Sequence, residues 1–232
     1  MKIKQFRYAS DNLGYLIFGS HTAVAIDGGA VSDIVAFLGE NGLRLAHATN
    51  THTHADHTAG TQDLLKQTDA TFIDISTLRK NEKIELEGEL IQVFHTPGHT
   101  MDSVTFYFDN YLVAGDTLFN GTVGNCFSGD LKSFYNSIKL LLSFPDETIV
   151  YAGHDYVRGS MDFAKSVEPD NREIERFLEK YDPEHIWSTL ADERKMNPFL
   201  RFNEKSIIDY IKQNGLPVET EYERWESIMS FD

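Results

Sequence analysis

The sequence predicts an α+β fold, with a mixed α/β domain over residues 1–157 followed by a small helical appendage over 158–232. Three observations predict it. Short β-rich runs alternate with helical patterns through the first two thirds of the chain. Beyond Arg158 the strand signals fade and only helical spacing remains. The 232 residues are 41% hydrophobic and 12% aromatic, enough to fill a core, and no low-complexity linker or internal repeat interrupts them.

Taken in order, Tyr15 to Gly19 and Thr22 to Ile26 read as strands that end at the turn Asp27-Gly28-Gly29. Ser32 to Leu38 spaces Ile34, Val35, Phe37 and Leu38 as a short amphipathic helix, with Ser32 as its N-cap. Leu43 to Thr49 is the next strand, followed by a polar stretch and the helical pattern Gln62 to Gln67. Further strands are expected at Leu90 to Phe94, Ser103 to Phe108, Tyr111 to Ala114 and Thr148 to Tyr151. Between the last two, Phe134, Ile138, Leu141 and Leu142 repeat at helical spacing within Leu131 to Phe144. In the appendage, Asn171 caps a helix to Tyr181, and Ser206 caps a second helix to Gln213 that stops near Gly215.

Charge and cysteine content narrow the function classes. Thirty-six acidic against 21 basic residues give a formal charge of -15, unsuited to gripping nucleic acid or an anionic membrane. No run of 18 apolar residues is present, and MKIKQFRYASDN lacks the apolar stretch of a secretion signal. The single cysteine, Cys126, forbids an intramolecular disulfide, so a cytoplasmic, reducing setting is expected. Cys126 itself reads as a small loop or packing residue.

Histidine carries the chemistry. Three of the nine histidines fall in Thr51-His52-Thr53-His54-Ala55-Asp56-His57-Thr58, between a predicted strand and a predicted helix. At this composition His-x-His-x-Asp-His arises by chance roughly once in a thousand such chains. In extended chain, residues two apart point the same way, so His52 and His54 can face one ion. Asp56 and His57, at the bend, can turn toward a second. Imidazole and carboxylate suit zinc, iron or manganese. His99 in Thr96-Pro97-Gly98-His99-Thr100, Asp116 in Ala114-Gly115-Asp116-Thr117 and His154 in Ala152-Gly153-His154-Asp155 each follow the end of a strand. Such loops gather along one edge of an α/β sheet, which completes seven ligands for two ions with the Asp116 carboxylate shared. His21, His47, His95 and His185 read as ordinary surface or hydrogen-bonded residues.

These motifs resemble the metallo-β-lactamase superfamily, and within it the glyoxalase II, or hydroxyacylglutathione hydrolase, family. The resemblance rests on Thr51 to His57, Thr96 to Thr100, Gly115 to Phe119 and Gly153 to Tyr156. In the appendage it rests on Val167-Glu168-Pro169 and Asn197-Pro198-Phe199-Leu200-Arg201. It implies an αββα sandwich with a small helical domain that binds substrate. His52, His54 and His99 would hold one metal, Asp56, His57 and His154 the other, and Asp116 would bridge. The implied cofactors are two divalent ions, zinc foremost, with iron or manganese as the other metals. The implied reaction is hydrolysis of an acyl thioester by water ionised between the metals near Asp116. Asp56 and Asp155 are the other acids able to take a proton, although ligation is the expected role of Asp56, and a turn or a contact behind a ligand that of Asp155.

The substrate side departs from that family. Asn125 and Phe127 stand where it has a basic residue and a tyrosine that help hold glutathione. In the tail only Arg224 is a candidate for its cationic contacts, whereas Tyr156 matches its remaining glutathione-contacting tyrosine. A thioester hydrolase is therefore expected, with a small-molecule partner, more firmly than a glutathione-specific one. His54-Ala55-Asp56-His57 and Ala152-Gly153-His154-Asp155-Tyr156 also resemble the persulfide dioxygenases, which would use one iron held by His52 or His54, His99 and Asp116.

Overall fold

The computed structural model, which describes residues 1–231, begins with three antiparallel strands, β1 (Lys2–Tyr8), β2 (Asn12–Phe18) and β3 (Thr22–Ile26). Helix α1 (Val31–Glu40) then carries the chain over to β4 (Arg44–Thr49), which lies parallel to β3. After α2 (Ala55–Thr58) and α3 (Thr61–Gln67), the short β5 (Thr71–Phe72) completes a five-stranded sheet in the order β1-β2-β3-β4-β5. Helix α4 (Ile75–Asn81) leads to the second sheet. There β6 (Lys83–Leu86), β7 (Glu89–His95), β8 (Val104–Phe108) and β9 (Tyr111–Gly115) form an antiparallel meander. Helix α5 (Leu131–Leu141) returns the chain to β10 (Ile149–Ala152), parallel to β9. Helices α6 (Val157–Val167) and α7 (Arg172–Lys180) follow, and β11 (Ser188–Thr189) pairs with β10 at the edge of this sheet. The chain closes with α8 (Leu190–Met196), α9 (Lys205–Gln213) and α10 (Glu221–Met229).

Period-two alternation explains the layering. In β2, Leu13, Tyr15 and Ile17 point inward to meet Phe106, Phe108 and Val113 of the second sheet, while Leu16 points outward. Outward residues of the first sheet, Leu16, Ala25 and Ala48 among them, pack against Ile34, Leu38 and Leu64 of α1 and α3. The outer face of the second sheet, through Leu112, Ala114 and Val150, packs against Phe134, Ile138 and Leu141 of α5. That outer cluster continues into Phe199, Ile207, Ile211 and Trp225 from the C-terminal region. The result is the expected αββα sandwich with a helical C-terminal region.

The motif blocks of that region are fasteners. The Arg201 guanidinium donates to both oxygens of Glu168, at 2.8 and 3.0 Å, while Ser206 and Asn171 also donate to the same carboxylate. Asn197, fully buried, donates to the Thr122 carbonyl and to Glu193. Glu193 in turn accepts from Ser188 and from the Gly121 backbone, so α8 holds the loop that follows Asp116. Burial pushes the Glu193 carboxyl up to about 7 against these donors.

Several elements depart from the sequence reading. Ser206 lies inside α9 rather than capping it: its hydroxyl is taken by Glu168 and Glu204 occupies the cap. Ser32 likewise sits in the first turn of α1, whose cap is Ala30. Strand β1 was not expected because its polar residues outnumber the apolar ones, as suits a sheet edge. Helices α6, α8 and α10 were not expected either; apolar residues are sparse in α8 and α10, whereas α6 does space Val157, Met161 and Ala164 at helical intervals.

Candidate metal centre

The centre is built at one end of both sheets. Asp27 follows β3, the His52–His57 segment follows β4, His99 follows β7, Asp116 follows β9 and His154 follows β10. Three backbone hydrogen bonds stitch this end together: Leu13 N–H to Gly153 O at 2.8 Å, Gly153 N–H to Gly115 O at 2.9 Å and Val104 N–H to Thr51 O at 2.8 Å. The backbones must approach closely here. A Cβ on Gly153 would fall 2.0 Å from Asp116 Oδ1, and Gly115 adopts φ +51° beside Thr51.

All seven residues expected as ligands converge. His52, His54 and His99 form one group of potential donors, and Asp56, His57 and His154 form another. A third group, His52, His57 and Asp116, joins the two. Asp116 Oδ2 lies 3.5 Å from His99 Nε2 and 3.5 Å from His154 Nε2, and Oδ1 lies 3.3 Å from His57 Nε2. One carboxylate thus reaches rings of both outer groups.

The donor set fits divalent cations on two further observations. Nitrogen faces nitrogen across each outer group: His99 Nε2 is 3.0 Å from His54 Nδ1, and His57 Nε2 is 3.2 Å from His154 Nε2. Moreover, His52 Nε2 and Asp116 Oδ1 are buried without a hydrogen-bond partner, a costly arrangement unless something else satisfies them.

The opposite ring nitrogens of His52, His57, His99 and His154 are engaged. His57 Nδ1 is 2.9 Å from Asp27 Oδ2, His154 Nδ1 is 2.9 Å from Asp11 Oδ1, and His99 Nδ1 is 2.9 Å from the Asn125 carbonyl. These acceptors require Nδ1–H, so Nε2 is the nitrogen each of these rings has left to offer an ion. Thr51 fixes His52 in the same way. Its hydroxyl proton goes to Asp27 Oδ2 at 2.7 Å, so its oxygen must accept from His52 Nδ1 at 3.0 Å. Asp27 also accepts the Thr51 backbone N–H, and Asn12 donates to Asp56 Oδ2 at 2.9 Å.

The electrostatics follow from this packing. Burial, reinforced by His57, lowers the His52 pKa to about 4, which keeps that ring neutral and its lone pair available. Burial would lower His57 as well, but Asp27 and Asp116 overcome it and push the value up to about 11. Burial works to raise Asp116, yet the His154 and His57 rings hold it far below the ordinary carboxylate range.

The residues expected to contact substrate sit around this centre. Tyr156 stacks on His154 with ring centroids 4.9 Å apart and 7° between planes. Phe127, largely exposed, turns its ring edge-on to His54 and His99 at 5.6 and 5.2 Å. Asn125 holds His99 through its backbone and lines a cavity of about 700 Å³ beside His154. Arg224 is not part of that wall; its guanidinium binds Asn203 and the Val218 carbonyl. The four other histidines stay outside the cluster; His95 pairs with the Met101 carbonyl and His185 with Tyr151.

Sequence reasoning missed Asp27, Asp11, Asn12 and Thr51 as orienting residues. The turn signal Asp27-Gly28-Gly29 was visible, but nothing in it marks the aspartate, which the structure places in left-handed backbone (φ +50°) at the strand end, as more than a turn residue.

The sandwich and its strand-end histidine cluster define a class, and the comparisons agree. Residues 73–154 match the metallo-beta-lactamase superfamily. Among solved structures, ETHE1 from Myxococcus xanthus superposes with a TM-score of 0.72 at 24% identity, covering 99% of this chain and 90% of its own. The BLEG-1 B3 metallo-beta-lactamase gives 0.66 at 20% identity, covering 86% of this chain and 99% of its own. At these identities the likeness is one of fold. Sequence relatives go further. Residues 155–226 match the hydroxyacylglutathione hydrolase C-terminus. A hydroxyacylglutathione hydrolase of Idiomarina loihiensis is 36% identical over 200 residues, covering 80% of this chain and 79% of the relative. Another from Chromohalobacter salexigens is 33% identical over 215 residues, covering 84% of each. The chain belongs to the hydroxyacylglutathione hydrolase family.

Proposed function

We propose that the protein is a dinuclear metal-dependent hydrolase that cleaves an acyl thioester of glutathione or a related thiol. The observation that carries the reading is the pair of three-residue donor groups joined by Asp116. His52, His54 and His99 would hold one ion, Asp56, His57 and His154 the other, and Asp116 both. Zinc is the foremost candidate because the set is nitrogen-rich and needs no redox chemistry, and iron or manganese suits the same donors. When bound, divalent cations lower the pKa of water from 15.7 toward about 7 and polarise a carbonyl.

The protein's own residues supply the rest. Asp27, Thr51, Asp11 and the Asn125 carbonyl hold four imidazoles in the tautomer that directs Nε2 inward. Asn12 positions the Asp56 carboxylate, and Phe119 and Tyr156 cover the His154 side of the centre. A thiolate leaves readily, its thiol pKa being about 8.5, so no separate general acid is needed. Asn125, Phe127 and Tyr156 would contact the substrate, with residues 1–157 carrying the chemistry and 158–232 closing the substrate side. Among the described residues no helix is long and apolar enough to cross a membrane. With one free cysteine and no disulfide, a reducing cytoplasmic setting suits the chain.

The test is turnover of S-lactoylglutathione without oxygen, with metal counted per chain. Two ions and oxygen-independent hydrolysis are expected, and Asp116→Ala should lose both metal and nearly all activity. Full activity in that variant, or turnover that stops without oxygen, overturns the proposal.

A further inference from the structure

Around the centre Asn125 and Phe127 are uncharged, and Arg224 is bound to Asn203 and the Val218 carbonyl, which raises the question of what meets an acidic thiol. The cavity of about 700 Å³ beside His154 supplies a candidate. Its wall includes Asp11, Phe119 and Tyr156, all in contact with or adjoining the His154 ring, so a thioester with its carbonyl at the metal centre can extend its thiol half into it.

The charged groups on that wall are Arg7, Asp11, Asp155 and Arg158, and three of them are committed. Arg7 donates to Asp155 at 2.6 Å and to the Pro183 carbonyl at 2.9 Å. Asp155 also accepts from the Tyr181 hydroxyl at 2.8 Å. Asp11 binds His154 Nδ1 at 2.9 Å. Arg158, at the start of α6, makes no hydrogen bond or ion pair among the described residues. Its guanidinium lies over the Tyr181 ring, 5.5 Å from the centroid. A ring beneath a guanidinium steadies its plane and leaves the edge N–H groups available for a carboxylate.

We infer that Arg158 is the specificity-determining cation of the substrate cavity, binding a carboxylate of an acidic thiol carrier. The inference rests on the thioesterase reading above. Arg158 acts in binding and not on the reacting atoms, so its effect belongs in KM.

The experiment compares S-lactoylglutathione with the same thioester in which both glutathione carboxylates are converted to amides. The wild-type enzyme should prefer the acidic substrate through KM. Arg158→Gln should shrink that preference in kcat/KM about tenfold, the effect of one charge-assisted contact, and Arg158→Lys, which keeps the charge but not the ring-stacked fork, should keep part of it. Equal preference in wild type and Arg158→Gln, or a drop in kcat shared by both substrates, overturns the assignment of Arg158. Hydrolysis of neither substrate by the wild-type enzyme overturns the thioesterase reading itself, whereas hydrolysis of both at one rate overturns only the inference.

Discussion

Replacing Asp27 by asparagine isolates the contribution of a residue that would touch no metal. The carboxylate is buried and accepts three hydrogen bonds: from the Thr51 backbone N–H at 2.8 Å, the Thr51 hydroxyl at 2.7 Å and His57 Nδ1 at 2.9 Å. Asparagine keeps the shape and tolerates the left-handed backbone at φ +50°. Its carbonyl can still accept the Thr51 N–H, but its NH₂ group then confronts the His57 Nδ1–H. The ring relieves that clash by moving its proton to Nε2, where it occupies the lone pair needed for ligation. Loss of such an orienting partner costs roughly 10–100-fold in metal affinity, or about 1.4–2.8 kcal/mol. Titration of metal-free protein against a competing chelator should show this loss at one of two binding steps, with turnover falling in parallel. Two steps of wild-type affinity in Asp27→Asn would refute the claim that Asp27 sets the His57 tautomer.

Three other outcomes are expected. Gly153→Ala, whose Cβ would meet Asp116 Oδ1 at 2.0 Å, should lower metal content per chain more than it lowers melting temperature, as metal analysis and thermal unfolding will reveal. Glu168→Gln should cost about 3 kcal/mol in denaturant unfolding, because it leaves the half of the ion pair on Arg201 poorly matched. Burial works to raise Glu168, but Arg201 and Ser206 lower it below 4.5, so its contribution is present above pH 4.5 and is lost as pH falls; the variant should therefore show a shallower acid loss than wild type. Finally, His57 in the cation-free protein is protonated below about 11, so its charge pairing stabilises that form fully below pH 6.5 and is lost as pH rises through about 11. Metal loading near pH 7 must displace this proton. A pH-stat should record release of about one proton per chain from that ring, and affinity should rise with pH; loading without proton release would contradict the assignment.

What could be read in the sequence follows from how signals are stored. The cluster from His52 to His57 is local, and its residue types are rare enough to announce a site. The strand-end positions of His99, Asp116 and His154 were legible because β9 and β10 carry continuous apolar runs and β7 sets Leu90, Ile91, Val93 and Phe94 around a single polar residue. Asp27 and Asp11 were illegible as orienting groups because a lone turn aspartate looks alike whether it meets solvent or an imidazole 30 or 143 residues away. The caps show the same limit. Ser206 satisfies every local rule for a helix start, but Glu168, distant in sequence, claims its hydroxyl. Conversely, α8 and α10 open with capping boxes, Thr189 with Asp192 and Thr220 with Glu223, a signal present in the sequence that sparse apolar spacing obscured.

The hydrogen bonds that join the two sheets at the centre carry a kinetic consequence. His52 and His154 are 102 positions apart (154 − 52) and come from different sheets, so the full donor set exists only after both sheets have formed and docked. A cation that needs that set selects the finished fold over earlier compact forms and stabilises it by mass action. Pairing of such distant segments makes for slow folding. Metal uptake then reports the last step of maturation, and a chain starved of metal during synthesis faces a longer interval of vulnerability to proteolysis.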